Sequence, residues 1–299
     1  MTNLSTSFKH PIGLVRSDSP LTDEQLFQAT PSVFATTPHA SRSARYTYIA
    51  TLDLVNALRA EGFMPFMACQ SGSRIVGKSA FTKHLLRFRH QHQTNSNCNG
   101  TIKGKAKTSN ESVNNNLNET ANEIILLNSH DDTSSYQMLA GCFRFVCHNG
   151  LVTGDTIEDF RVRHSGKVLD NIIEGAYRMV KQFEHVEAAK ERMHRLKLTA
   201  KQQQAFAKAA LQLRYDAQQH SPIVAQQLNQ ARRNQDRGNA LWHTFNRVQE
   251  NLIQGGLQGL NRNGHKTTTR TVTSLTENIR LNRALWTLAE QTATLSVNG

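Results

Sequence analysis

The hydrophobic and polar positions follow two different periods along the chain. Up to about residue 166 the apolar residues lie in short runs, several of which alternate with polar residues as in a half-buried strand. These runs predict strands over residues 63–69, 83–92, 123–127 and 160–164. From about residue 167 onward the apolar residues recur at a period of 3.6, which predicts helices almost throughout. The pattern therefore predicts an α+β fold, with a small mixed or antiparallel sheet and helices in the N-terminal half and an all-helical C-terminal half.

Capping signals indicate where several helices begin. Thr22 and Thr199 each precede a glutamine by three residues, which is the capping-box pattern of a helix start. Further helices are predicted to begin at Thr51 and Ser274. The run over residues 136–147 is apolar enough to predict a buried helix within the N-terminal half.

Composition divides the chain into three segments. Residues 1–45 are rich in Ser, Thr and Pro and show little periodicity, so we predict an extended N-terminal segment. Residues 46–166 are predicted to form the α+β domain, and residues 167–299 the helical domain. Within the α+β domain, residues 94–120 are mostly Asn, Ser, Thr, Lys and Gly with nothing apolar to bury, which predicts a flexible insert.

The charge balance points to a polyanionic partner. The chain has 35 Lys and Arg against 23 Asp and Glu, a net charge of +12. Nucleic acid is the commonest polyanion inside a cell. No stretch approaches the roughly 18 apolar residues that a membrane span needs, and Met1–Pro11 contains no apolar run typical of a secretory signal. Four cysteines are too few for a disulfide scaffold. We therefore expect a cytoplasmic protein without a membrane partner.

One segment matches a nucleotide-binding motif. Gly72-Ser-Arg-Ile-Val-Gly-Lys-Ser79 satisfies the pattern G-x-x-x-x-G-K-S, in which backbone N–H groups and Lys78 would hold phosphates and Ser79 a magnesium ion. The run before it suits the strand that the motif requires. The run after the motif alternates like a strand, whereas a P-loop is followed directly by the start of a helix. A P-loop nucleotide hydrolase is therefore an alternative hypothesis, set against a Gly-containing hairpin between two strands.

The sequence gives weaker support for a metal site or a catalytic triad. Cys142 and Cys147 would lie about 140° apart on a helix, so they cannot chelate one ion together from regular structure. The run Asn128-Ser-His-Asp-Asp132 contains Ser, His and Asp, but the members of a triad normally converge from distant segments. We interpret this run as a polar turn. The sequence predicts no catalytic residue, no metal and no cofactor.

Basic and aromatic residues combine in a pattern typical of nucleic-acid-binding surfaces. Arg87 and Arg89 lie on one face of a predicted strand, and two arginines are costly to bury unpaired, so we expect that face to be wet. The alternative is that they pair with a buried acid such as Glu123. Near the C-terminus, the loop over residues 261–270 combines basic residues with glycine and hydroxyls. Phosphate contacts and base stacking are assigned to Arg45, Tyr46, Tyr48, Lys83, Arg87 and Arg89, with Lys266 and Arg270 as an outer contact.

Several segments resemble one known family. They are Arg45–Tyr48, Lys83–Arg89, Asn122–Asp131, Arg144–Leu151, Glu250–Gly256 and Leu281–Trp286. From about Ser32 onward the chain resembles the uncharacterised phage/plasmid-like protein family of YfjQ/YafZ type. The resemblance implies a setting on a prophage or conjugative plasmid, and it implies no activity and no catalytic residue. Residues 94–120 depart from the family as an insertion, and Gly77-Lys78-Ser79 is not typical of it.

These observations lead to one main hypothesis and a rival. The order of elements over residues 50–150 is also similar to the small core of single-strand-annealing recombinases, a likeness of fold alone. We expect a non-enzymatic protein of a mobile genetic element that binds DNA, in single-stranded form, in recombination, annealing or establishment. The rival is an interaction protein whose basic surface docks on a host defence enzyme and blocks it. A homo-oligomer is compatible with both.

Overall fold

The computed structural model describes residues 11–37, 50–73, 77–91, 120–130, 136–144, 150–152, 160–162, 168–215 and 220–295. The chain forms two compact units. The first comprises residues 1–150 and 157–182, and the second comprises residues 151–156 and 183–299.

An antiparallel sheet of seven strands dominates the first unit. Strands β1 to β6 follow one another across the sheet in chain order, and β7 pairs with β5. Pairing is antiparallel from β1 through β5 and between β5 and β7. The strands are β1 (Pro11–Arg16), β2 (Phe63–Ser71), β3 (His84–His90), β4 (Thr120–Asn128), β5 (Tyr136–Arg144), β6 (Gly150–Val152) and β7 (Phe160–Val162). The predicted α+β class is confirmed, and each of the four predicted strands has its counterpart.

The run over residues 136–147 was predicted as a helix, and this prediction is wrong. Residues Tyr136–Arg144 form β5, which pairs with β4 along its whole length from Leu127 opposite Gln137 to Thr120 opposite Arg144. From Met138 to Cys142 the residues of β5 are buried on both faces of the sheet, so this part of the run is apolar without alternation. Periodicity alone does not distinguish such a strand from a buried helix.

The N-terminal segment is more regular than the extended chain that the sequence predicts. It contains β1, helix α1 (Asp23–Ala29) and a 3-10 helix over Pro31–Phe34. The capping box at Thr22 is confirmed, since its side chain accepts a hydrogen bond from the backbone of Gln25. A Cβ at Gly13 would lie 1.8 Å from the carbonyl oxygen of Ala29, so only glycine allows β1 to approach α1 this closely.

Helices cover one face of this sheet. Helix α1 packs there against β1 and β2, and helix α2 (Thr51–Ala60) packs against β2 and the 3-10 helix. Thr51 of α2 also contacts His84 of β3 and Asn128 of β4 through hydrogen bonds. The helices contribute Leu26, Val33, Leu54, Val55 and Leu58, and the strands contribute Leu86, Phe88, Ile124 and Leu126. On the opposite face the same strands bear Leu85, Arg87, Ile125 and Leu127, because neighbouring residues of a strand point to opposite sides.

The second unit is helical with one exception. Its helices are the C-terminal part of α3 (Val168–Arg195), then α4 (Ala200–Arg214), α5 (Ala225–Leu228), α6 (Leu241–Gln254) and α7 (Leu275–Leu295). The capping box at Thr199 is confirmed. Between α6 and α7 lies a two-stranded hairpin, formed by β8 (Gln258–Leu260) and β9 (Lys266–Thr268). The hairpin corrects the prediction of an all-helical C-terminal half.

Helix α6 is the centre of the second unit and is buried around most of its circumference. Its polar side chains serve as anchors for irregular backbone. Asn251 Nδ2 donates to the carbonyl oxygens of Leu228 (2.9 Å) and Gln230 (2.7 Å), and Arg247 donates to the carbonyl oxygen of Gly238 (2.7 Å). Because these buried donors have hydrogen-bond partners, the helix can carry polar residues in the core of the unit.

Two glycines of the hairpin region give a matched test of this geometry. Gly255 ends α6 at φ 64° and ψ −143°, a combination almost exclusive to glycine, and a Cβ there would lie 2.6 Å from the carbonyl oxygen of Arg270. Gly264 has φ 78° at the hairpin tip, and a Cβ added there would meet nothing within 4 Å. We expect Gly255→Ala to lower the free energy of unfolding by about 3 kcal/mol or more, and Gly264→Ala by about 1 kcal/mol. Urea denaturation measures both, and equal costs would contradict the close approach at Gly255.

Candidate nucleic-acid interface

The structure places Arg87 and Arg89 inside the protein. They are 5% and 6% exposed, and Glu123 of β4 is 1% exposed between them. Arg89 Nε donates to Glu123 Oε1 at 2.8 Å, and Arg87 Nε donates to the other carboxylate oxygen. The expectation that this face is wet is therefore wrong, and the alternative of pairing with Glu123 is what the structure shows. A shared carboxylate offsets part of the cost of burying the two guanidinium groups.

A third arginine lies on the same face. Arg16 of β1 is opposite Met67, and Met67 is opposite Arg87, so the three residues form a row across β1, β2 and β3. Burial lowers the pKa of Arg16 to about 10, and the positive charge of Arg87 acts in the same direction. The guanidinium of Arg89 stacks over the ring of Phe66 at 4.4 Å. We call Arg16, Arg87, Arg89 and Glu123 the arginine cluster.

The other predicted contacts of the first unit have separate outcomes. Lys83 is half-buried immediately before β3. Arg45, Tyr46 and Tyr48 lie outside the described residues, as does nearly all of the predicted insert. Their roles stay predictions.

Lys266 and Arg270, by contrast, are exposed on the β8–β9 hairpin and directly after it. Arg262 and His265 are exposed in the loop that joins the two strands. From Gly255 to Thr276 the sequence contains three cationic side chains and no Asp or Glu. The hairpin therefore presents positive charge without a neighbouring acid in its own segment.

Several contacts fix the orientation of the hairpin. Leu260 N donates to the carbonyl oxygen of Pro222 at 2.9 Å, and Gln227 Nε2 donates to that of Gln258 at 2.8 Å. A Cβ at Gly259 would lie 1.8 Å from the Pro222 oxygen, so the backbones touch there. At the tip, Asn261 Oδ1 accepts from the backbone of His265 at 3.0 Å. The basic side chains thus extend from an ordered scaffold.

Two arginines from other parts of the chain, Arg214 and Arg232, bond to the backbone at the base of the hairpin. Arg214 donates to the carbonyl oxygens of Leu252 and Arg270, and Arg232 donates to that of Gly255. Arg280 donates to the carbonyl oxygen of Leu213 at 2.8 Å and pairs with Glu277 at 2.7 Å. The hydrogen bond from Arg280 lowers the pKa of Glu277. The sequence pattern does not reveal Arg214 and Arg232 as neighbours of the hairpin, because only the fold brings them there.

The predicted polar turn at residues 128–132 begins inside the protein. Asn128 and His130 are fully buried, whereas residues 131–132 lie outside the described residues. Thr51 Oγ1 lies 2.9 Å from His84 Nε2 and 3.1 Å from His130 Nε2, and it accepts a hydrogen bond from Asn128 Nδ2 at 3.0 Å. This network joins α2 to β3 and to the end of β4.

The hydrogen-bond directions in this network argue against a Ser–His nucleophile. Ser32 Oγ donates to Gln70 Oε1 at 2.7 Å, so it must accept from His84 Nδ1, which is 3.0 Å away. His84 Nδ1 also donates to the carbonyl oxygen of Thr82 at 3.1 Å. Because Nδ1 carries a proton, it cannot act as a base towards Ser32. All of these side chains are shielded from solvent, and their hydrogen bonds tie the strands to the helices.

The P-loop-like run joins two strands that pair with each other. Residues 74–76 lie outside the described residues, but β2 before the run and β3 after it are antiparallel neighbours. A three-residue 3-10 helix, Ser79–Phe81, follows Lys78, where a P-loop has the start of an α-helix. This arrangement matches the hairpin interpretation.

Neither a metal-binding cluster nor a membrane-spanning helix occurs in the part of the chain that the structure describes. Within the described ranges, no group of three or more His, Cys, Asp or Glu side chains is placed to hold a metal ion. No helix in the same ranges is long and apolar enough to cross a membrane. The side chains of Cys69 and Cys142 are buried, and burial raises the pKa of the Cys69 thiol to about 12.

The buried network gives a stability prediction. Thr51→Val keeps the shape of the side chain and removes the oxygen that three polar groups share. We expect the free energy of unfolding to fall by about 2–4 kcal/mol, because buried donors and acceptors lose their partner. The control Thr273→Val, at an exposed position, should change it by less than about 0.5 kcal/mol in the same urea titration. A cost below about 1 kcal/mol for Thr51→Val would contradict the network.

Nucleotide binding can be tested directly. Because no α-helix follows Lys78, we expect calorimetry to detect no magnesium-dependent binding of ATP to the wild type. Lys78→Ala should likewise leave the affinity for oligonucleotides unchanged. Micromolar, magnesium-dependent ATP binding that disappears in Lys78→Ala would restore the P-loop hypothesis.

Comparison with known proteins gives the chain a family. Residues 38–286 match the family described as "Domain of unknown function (DUF932)". The chain is 46% identical over 290 residues to UPF0380 protein YafZ and 47% identical over 290 residues to UPF0380 protein YfjQ, both from Escherichia coli strain K12. Each alignment covers 97% of this chain and 97% of the relative. No solved structure matches. The resemblance found in the sequence is confirmed, and the chain belongs to the DUF932 family, with the UPF0380 proteins YafZ and YfjQ as relatives.

Proposed function

We propose that the protein is a non-enzymatic nucleic-acid-binding protein that contacts single-stranded DNA through the β8–β9 hairpin. One observation carries this proposal. The hairpin is exposed and ordered, and its segment carries Arg262, Lys266 and Arg270 without an acidic residue. In the setting that we propose, the protein belongs to a prophage or plasmid and acts in the cytoplasm in recombination, annealing or establishment.

The chemistry of the hairpin suits phosphate oxygens. Arg and Lys side chains hold phosphates without reading bases, and exposed threonines such as Thr268 add hydroxyl donors. The backbone at Gly264 is open to a close approach. The large aromatic side chains Trp242, Phe245 and Trp286 are buried in the core of this unit, so they are not available to stack on bases. We therefore propose binding with little sequence preference.

A single strand fits this surface better than a duplex for a mechanical reason. The cations lie both along the hairpin and at its base, at Arg214 and Arg232. A flexible strand can bend its phosphates to follow such a surface, whereas a stiff duplex presents phosphates at fixed spacing. Binding to single strands should consequently exceed binding to a duplex of equal length.

The salt dependence of binding tests the hairpin. Fluorescence anisotropy with a labelled single-stranded oligonucleotide at several salt concentrations gives the slope of log affinity against log salt. Each phosphate contact removed should lower this slope by about 0.7 on single strands. The double change Lys266→Ala, Arg270→Ala should therefore weaken binding and flatten the slope by about 1.4.

A control variant with the same change in net charge shows whether weaker binding comes from a lost contact at the hairpin or from the lower net charge alone. Lys201 and Lys208 are exposed on α4 of the same unit, so Lys201→Ala, Lys208→Ala removes the same total charge away from the hairpin. This variant should keep most of the wild-type slope. Equal losses in the two double variants would show that only net charge matters, and the hairpin assignment would then fail.

A second candidate function has its own supporting observation. Val224 and Leu260 are 62% and 52% exposed, and Leu260 lies on the basic hairpin itself. Apolar side chains within a basic surface also suit an acidic protein partner, such as a host defence enzyme that this protein would block. Absence of binding to any oligonucleotide at low salt, with a folded wild type, would favour this candidate. A dependence of affinity on oligonucleotide length would favour DNA.

A further inference from the structure

Alternate residues of β9 in the β8–β9 hairpin direct their backbone polar groups away from β8. Directly after β9, Thr269 N donates to the carbonyl oxygen of Leu257 at 2.9 Å. Hydrogen-bonded pairs alternate with non-hydrogen-bonded pairs in an antiparallel ladder. In the register of the hairpin, Lys266 and Thr268 therefore fall in non-hydrogen-bonded pairs, and their backbone N–H and C=O groups face outward from β9.

The two outer edges of the hairpin differ. At the outer edge of β8, Leu260 N donates to the carbonyl oxygen of Pro222 at 2.9 Å, so this edge is already used within the chain. At the outer edge of β9, the backbone groups of Lys266 and Thr268 have no hydrogen-bond partner among the described residues, and both residues are exposed. We call these outward-facing backbone groups the open edge of β9. A further strand can pair with such an edge.

The backbone chemistry of the open edge favours a polypeptide as its ligand. Lys266 and Thr268 each offer one N–H donor and one C=O acceptor. An extended polypeptide also offers donors and acceptors in alternation, which matches this edge. The phosphate groups of a nucleic acid offer acceptors alone, so they leave the carbonyl groups of the edge unpaired.

The charge of the hairpin identifies the kind of polypeptide. Arg262, Lys266 and Arg270 are exposed cations, and residues 255–276 contain no Asp or Glu. A second copy of the chain would bring the same cations against each other, and like charges on paired strands destabilise a sheet. An acidic strand would instead place a carboxylate opposite Lys266, which stabilises the pairing.

The side chains of β9 favour acidic residues at alternate positions of the added strand. Lys266 and Thr268 lie on one face of β9 and Thr267 on the other, because neighbouring residues of a strand point to opposite sides. Leu260 is paired with Lys266 in the hairpin, shares its face and is 52% exposed. On that face, an added strand lies beside a cation and a hydroxyl group, with an apolar side chain one strand further on.

We propose that the open edge of β9 binds an extended acidic segment of a partner protein as an added β-strand. Backbone hydrogen bonds to Lys266 and Thr268 hold the segment, and its acidic side chains at alternate positions face Lys266. This contact is separate from the proposed binding of DNA, because it uses the backbone of β9 whereas DNA uses the side chains. Since both ligands need the charge of Lys266, each excludes the other.

A short capped peptide of alternating glutamate and valine serves as the probe, with the full chain. Fluorescence anisotropy of the labelled peptide at low salt measures its affinity for the wild type. A matched peptide of alternating lysine and valine should bind at least about tenfold more weakly, because its charges repel those of the hairpin. Absence of binding of the glutamate peptide to the folded wild type would overturn the proposal.

N-methylation of the peptide separates strand pairing from attraction between charges. Alternate amides of an added strand face β9, and the others face away from it. One version of the glutamate peptide is methylated on its glutamate amides and another on its valine amides, with no change in charge. Only one of the two versions should lose affinity, by at least about tenfold, because only one loses the donors that face the edge. Equal affinities of the two versions would show that charge alone holds the peptide, and the added strand would be refuted.

Thr268→Pro tests the open edge from the side of the protein. The N–H of Thr268 faces away from β8, so proline removes a donor of the edge and leaves the pairing of the hairpin intact. Peptide affinity should fall at least about tenfold, while the affinity for the single-stranded oligonucleotide stays at the wild-type value because Lys266 and Arg270 remain. Wild-type affinity for the peptide in this variant would contradict the proposal. If the variant weakens both ligands, proline has distorted the hairpin and the methylated peptides decide.

The same titrations distinguish this proposal from the proposed function. A wild type that binds the oligonucleotide and not the peptide contradicts the added strand alone. A wild type that binds the peptide and no oligonucleotide contradicts the DNA contact alone. If both ligands bind, unlabelled oligonucleotide should displace the labelled peptide, and simultaneous binding of the two would contradict their shared use of Lys266.

Discussion

The carboxylate of Glu123 accepts hydrogen bonds from Arg87 and Arg89 inside the first unit, and the surrounding sheet depends on this bridge. Both arginines belong to β3 and the glutamate to the adjacent β4, so the bridge sets the pairing of two central strands. A shift of one residue would move these charges to the helix-covered face, where Leu86 and Phe88 pack. The same bridge removes the two arginines from contact with solvent. For this reason the nucleic-acid contact is proposed on the second unit, where cations are exposed.

Much of the fold follows from local signals in the sequence. Capping boxes predicted the starts of helices at Thr22 and Thr199, and runs of apolar residues predicted β2, β3 and β4. The failures have physical causes. Strand β5 is apolar on both faces, so its sequence pattern does not distinguish a buried strand from a buried helix. Strands β8 and β9 are three residues each and exposed, so they carry no hydrophobic pattern at all.

The site was predictable only in part. Lys266 and Arg270 belong to a visibly basic segment, and the structure leaves both exposed. Arg214 and Arg232 reach the same region from other parts of the chain through bonds to backbone carbonyls, which no spacing in the sequence reveals. For the arginines of β3, the sequence predicted the face of the strand but not its burial. Alternation placed them correctly on one face, but whether that face meets water depends on Glu123, a residue 34 positions beyond Arg89.

Arg89 and Glu123 form a buried pair that stabilises the sheet, and a double-mutant cycle tests this pair most directly. Urea unfolding is measured for wild type, Arg89→Met, Glu123→Gln and the double variant. Each single change should cost about 3–5 kcal/mol, because it leaves a buried charge without its partner. The double variant should cost at least about 2 kcal/mol less than the two single costs combined. Single costs below about 1 kcal/mol that simply add would show that Arg89 is a solvated surface arginine and would contradict the buried pair.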